Sequence, residues 1–78
     1  MSLSDLPDAS GLEHTKALQK FGWVTRRNAA HIIMTHANSA GVTLSIPNHK
    51  TVKRATLHRI LRSAGIADSL YRQVFDTL

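Results

Sequence analysis

The chain has no cysteine. That excludes a disulfide framework and a cysteine-bearing zinc site, and it fits a reducing cytosol. Acids are scarce too: five Asp and Glu stand against ten Lys and Arg, for a net charge of +5. The few acids lie mainly towards the two ends, and no two are spaced as a working carboxylate pair. There is no glycine-rich phosphate loop and no justifiable Ser-His-Asp arrangement. No apolar run is long enough to cross a membrane. Residues 1–13 lack the basic start and apolar stretch of a secretory signal. The expectation is one small cytoplasmic domain with a modest core, a loose tail over residues 1–9 and a folded unit over 10–78.

What is present is basic charge, which favours anionic partners such as nucleic acid or an acidic protein surface. Ser10 followed by Glu13 has the spacing of a capping box, and His14, Ala17, Leu18 and Phe21 then share one helical face until Gly22. Three strands are expected next, over 23–27, 31–36 and 42–46. The last has the best alternation, with Val42, Leu44 and Ile46 against Thr43 and Ser45, and Pro47 ends it. A basic loop over 48–55 leads to Thr56 as a helix cap, and Leu57, Ile60, Leu61 and Ala64 form the buried stripe of a helix that stops at Gly65. A short last helix starts at Asp68 or Ser69 and turns Leu70, Tyr71, Val74, Phe75 and Leu78 inward. The order α-β-β-β-α-α predicts an α+β fold, a three-stranded antiparallel sheet with helices on one face.

The chemistry-bearing side chains are five histidines and the basic loop. Imidazole moves protons near neutral pH, and RNA carries its own nucleophile in the 2′-OH, so one well-placed histidine can start strand cleavage without a metal. His31 leads the second strand and is the candidate, the alternative being an ordinary edge-strand histidine. His36 lies five residues on, so on a regular strand it points to the opposite face and reads as a turn histidine. His49, in the basic loop, is placed to reach the site of His31. His14 reads as a packing residue and His58 as a solvated one. Lys50, Lys53 and Arg54 precede a helix start, where lysines do not complement the dipole; a bound phosphate explains them, and so does a plain solvated loop. Arg26 and Arg27 straddle the first strand, so one of them faces the side of a bound RNA strand. Trp23 reads as core.

The pattern Phe21-Gly22-Trp23, Ala30-His31, His36, Ile46-Pro47-Asn48-His49, Lys53, Thr56-Leu57, Ile60-Leu61 and Ala64-Gly65 resembles the HicA toxin family, also called YcfA-like proteins. The likeness runs over roughly residues 12–76. It implies a double-stranded-RNA-binding-like α-β-β-β-α fold and the toxin of a type II toxin–antitoxin pair. It also implies an endoribonuclease (an mRNA interferase) that cuts single-stranded mRNA without metal or cofactor, paired with a HicB-like antitoxin. The family's catalytic histidine maps onto His31, and the phosphate would be held by Lys50, Lys53, Arg54, His49 and Arg27. Ala29 and Ala30 stand where the family usually has Gly-Gly or Gly-Ser, and Ala37 where it usually has proline. The alternative reading is a non-catalytic RNA-binding module, or an antitoxin-like partner-binding subunit of the same fold.

Overall fold

The computed structural model describes residues 5–78. The elements run α1 (Gly11–Gln19), β1 (Val24–Asn28), β2 (His31–Thr35), β3 (Thr43–Pro47), α2 (Arg54–Ala64) and α3 (Asp68–Phe75). The strands form one antiparallel sheet in the order β1-β2-β3. The fold is the expected α+β arrangement, with the helices packed against the sheet. No described helix is long and apolar enough to cross a membrane.

Alternation builds the core. Ile32, Met34, Leu44 and Ile46 are all buried, while His31, Thr43 and Ser45 between them are exposed. The four apolar residues meet Ala17 and Leu18 of α1, Leu57 and Leu61 of α2, and Tyr71 of α3 in a single cluster. The other sheet face carries no helix-facing apolar residue and stays open. Ser10 caps α1 as its spacing predicts: the Glu13 N–H donates to Ser10 Oγ, and the Ser10 N–H donates to Glu13 Oε1.

Five local expectations shift. Leu70 and Leu78, expected inward with Tyr71, Val74 and Phe75, are exposed. Trp23 lies just before β1 rather than in it, and is buried. β3 runs from Thr43 through Pro47. Thr56 does not cap α2. The cap lies three residues earlier, at Lys53, with no side-chain cap bond, because the Leu57 N–H already reaches Lys53 O at 2.9 Å. Residues 5–9 lie against the domain instead of forming a loose tail. Leu6 is fully buried, the Val52 N–H donates to Ala9 O at 2.9 Å, and Arg72 Nη1 donates to Asp5 O at 3.2 Å. The tail's first four residues lie outside the described ones.

Gly11 opens α1 where the backbone passes closest to β3. Its N–H donates to His49 O at 2.9 Å, and a Cβ there would run into the Pro47 carbonyl. Gly11→Ala should therefore destabilise the fold by about 1–3 kcal/mol, the usual cost of overpacking, read as a lower urea midpoint at unchanged m-value.

His14 is fully buried between α1 and α3, its Nδ1 2.6 Å from the Tyr71 hydroxyl and its Nε2 without a partner. Burial lowers its pKa to about 4, with the Glu13 charge opposing weakly. The unfolded chain, with an ordinary imidazole near 6.5, binds more protons than the folded one between these two values. Stability should therefore be full above pH 6.5 and fall as the pH drops towards 4, by on the order of 3 kcal/mol from this residue. Urea midpoints of the wild type and His14→Gln at pH 7 and pH 4.5 check this: the variant should lose that share of the pH dependence, whatever its absolute stability.

Candidate active site

His31 owes its position to the register of two strand pairs. It is the first residue of β2 and lies opposite Pro47 in β3. Its neighbour Ile32 is committed to the core, so alternation sends the imidazole to the open face. The β1–β2 turn that delivers it consists of Ala29 and Ala30, and neither has positive φ. The turn therefore needs no glycine, and alanine fits at both positions.

Asn48 holds that turn from the end of β3. Its side-chain amide donates to Ala29 O at 3.0 Å and Asn28 Oδ1 at 3.3 Å, and its backbone N–H donates to Ala30 O at 3.1 Å. One residue thus ties both alanine carbonyls to the strand facing His31. The sequence reading missed this role; the one visible signal is an asparagine directly after a strand-ending proline.

A bulge in β1 changes which arginines share the face with His31. The register with β2 shifts between Thr25 and Arg27. Thr25 lies opposite the buried Met34 and Arg27 opposite Ile33, and Arg26 Nε donates to Thr35 Oγ1 at 2.9 Å. Arg26 and Arg27 therefore both lie on the open face instead of straddling the sheet, as bulged strands allow. Arg27, Ala29, Ala30, His31 and Ile33 line a shallow depression of about 220 Å³.

The rest of the basic set is spread along the loop. His49 and Lys50 are exposed where the chain leaves Pro47 and Asn48, beside the start of α1. Lys53 is exposed at the N-cap of α2. Arg54 is engaged elsewhere: Nη2 pairs with Asp8 at 2.8 Å and Nε donates to Leu6 O at 3.0 Å. Of the phosphate candidates, the structure gathers Arg27 with His31, keeps His49 and Lys50 at the same end of β3, and draws Arg54 to the 5–9 segment.

The histidines separate by their hydrogen bonds. His14 is held by Tyr71. The Asn38 N–H donates to His36 Nδ1 at 3.0 Å, so Nε2 carries the proton and donates to Phe21 O at 2.9 Å. His36 is a half-buried brace between the α1–β1 turn and the end of β2, edge-on to Trp23. His58 is not simply solvated: its Nδ1 lies 2.9 Å from Oδ2 of the buried Asp68, joining α2 to α3. Among the described residues, His31 and His49 alone keep both ring nitrogens free of protein partners.

The family model described as the HicA toxin of bacterial toxin–antitoxin systems matches residues 12–66, well over half of the chain. The chain belongs to the HicA toxin family. It is thus a toxin of a toxin–antitoxin system, and the family implies ribonuclease activity, an RNA substrate and a HicB antitoxin partner. The search of curated proteins found no match. The matched span of this HicA toxin includes the His31 turn, β3 and α2, while α3 and the 5–9 segment lie outside it.

Replacing Asn48 with Ala removes two side-chain bonds at the turn. It should lower stability by about 1 kcal/mol, since exposed neutral hydrogen bonds contribute modestly. It should also broaden the imidazole signals of His31 in an NMR spectrum while leaving those of His36 sharp.

Proposed function

We propose that this HicA toxin is a metal-independent endoribonuclease that cleaves mRNA with His31 as its general base. The observation that carries the reading is the pairing of an unengaged imidazole with Arg27 in one open depression, on a turn that Asn48 makes rigid. RNA supplies the nucleophile. His31 takes the proton of a 2′-OH, the 2′-oxygen attacks the adjacent phosphorus, and the 5′-oxygen leaves with a proton from water. The products are a 2′,3′-cyclic phosphate and a 5′-hydroxyl end. Arg27 lies where it can offset the charge that builds on the phosphoryl oxygens.

Lys50, Lys53 and His49 extend positive charge along the loop and hold the flanking phosphates. Arg54, paired with Asp8, contributes through the fold of that loop rather than as a primary ligand. Phosphate neutralisation releases counterions, so RNA affinity falls as salt rises. A toxin acting on mRNA works in the cytoplasm. There a HicB-like antitoxin, as in type II pairs, neutralises it by covering His31 and the basic rim with a complementary acidic surface.

His31→Ala should reduce RNA cleavage by about 10²–10⁴-fold, the usual contribution of a positioned acid–base group, and abolish growth toxicity while the fold persists. Wild-type cleavage should be unchanged in EDTA. Undiminished cleavage by His31→Ala would move the role to His49. RNA binding without cleavage by the wild type would make the domain a binding module.

A further inference from the structure

The two edges of the sheet are not alike. β1 is interrupted by its bulge and carries Arg26 and Arg27, devices that keep a strand edge from pairing with another chain. β3, Thr-Leu-Ser-Ile-Pro, has neither charge nor bulge.

The register shows which of its backbone groups are free. The Asn48 N–H donates to Ala30 O, in line with the pairs Ile46–Ile32 and Leu44–Met34. In an antiparallel ladder hydrogen-bonded pairs alternate with non-bonded ones. The amides and carbonyls of Leu44, Ile46 and Asn48 therefore face β2, and those of Thr43, Ser45 and Pro47 face outward. Pro47 has no N–H, and its carbonyl is covered by Gly11. The N–H and C=O of Thr43 and Ser45 have no partner among the described residues. They open onto a groove of about 210 Å³, whose far wall is Thr56, Arg59, Ile60 and Ser63 of α2.

We propose that this edge, over residues 43–45, receives an extended, carboxylate-bearing segment of a protein partner as a fourth strand. An incoming strand offers donors and acceptors in alternation and satisfies all four outward groups, as in recognition by strand addition. A nucleic-acid backbone offers phosphate acceptors and ribose hydroxyls, but not donors and acceptors alternating at the spacing of a strand edge. The α2 wall selects the charge. The helix has no acid, and it sets the exposed Arg59 beside the groove with Arg62 following in the next turn. A second copy of this chain would bring its own α2 arginines to the same seam, on a molecule already at +5. The complement is a strand with Asp or Glu facing Arg59 and uncharged residues over Ser45.

In the toxin reading, on which the choice of probe rests, the HicB antitoxin supplies that strand. The test is amide hydrogen exchange of the full chain, free and with its antitoxin. Thr43 and Ser45 should exchange fast when free and become protected by at least tenfold in the complex. Ser45→Pro, which removes an outward N–H and no ladder bond, and Arg59→Glu should each weaken antitoxin binding by tenfold or more. A complex that forms without protecting these two amides, or wild-type affinity in both variants, overturns the strand-docking proposal and leaves the toxin reading standing. Failure to form any complex overturns both. Protection by RNA alone, or protection that grows with concentration of the free chain, overturns it in favour of nucleic acid or self-pairing.

Discussion

The burial of Ile32, Met34, Leu44 and Ile46 against the helices is the constraint from which the rest of this protein follows. Strand side chains alternate, so committing these four inward commits His31, Ile33, Thr43 and Ser45 outward. A slip of one residue would put imidazole and threonine in the core and isoleucine in water, so the register is strongly held. The same register aims the Asn48 amide at Ala30 and leaves Thr43 and Ser45 facing outward. The histidine, the clamp behind it and the free edge are three results of one packing decision.

The element order was legible because the strong signals are local. The capping box at Ser10 and Glu13, the alternation through β3 and the glycine at the end of α2 each act within a few residues. The burial of Trp23 followed from its place after Gly22. What was not legible depends on contacts distant in the chain. The β1 bulge, which brings Arg26 and Arg27 to one face, leaves no trace in the run Val-Thr-Arg-Arg-Asn. Arg54 looked like a phosphate ligand because its partner Asp8 lies 46 residues away. Thr56 had the right chemistry for a cap, but the chain before it is already anchored through Val52 and Arg54. The sequence suggests a surface or turn role for His36, whereas it is a half-buried brace, and only its two hydrogen bonds reveal which nitrogen holds the proton.

The parts outside the family match help close the core. Leu6 comes from the segment before α1, and Tyr71 from α3 after the matched span, and both are fully buried. Arg72 links the two further through the Asp5 carbonyl, and Asp68 ties α3 to His58 of α2. α3 thus supplies the phenol for His14 and the carboxylate for His58, and so takes two of the five histidines out of the chemistry.

That closure also sets a timetable. The contact between Asp5 and Arg72 joins residues 67 apart in a chain of 78. Contacts of such long sequence separation form only when both ends are available, and a domain made on the ribosome gains its last helix last. The sheet that carries His31 can be fully synthesised while the ribosome still encloses the residues that seal the core beneath it. The interval before α3 emerges is therefore one in which the nascent domain has its sheet but not the helix that completes its core.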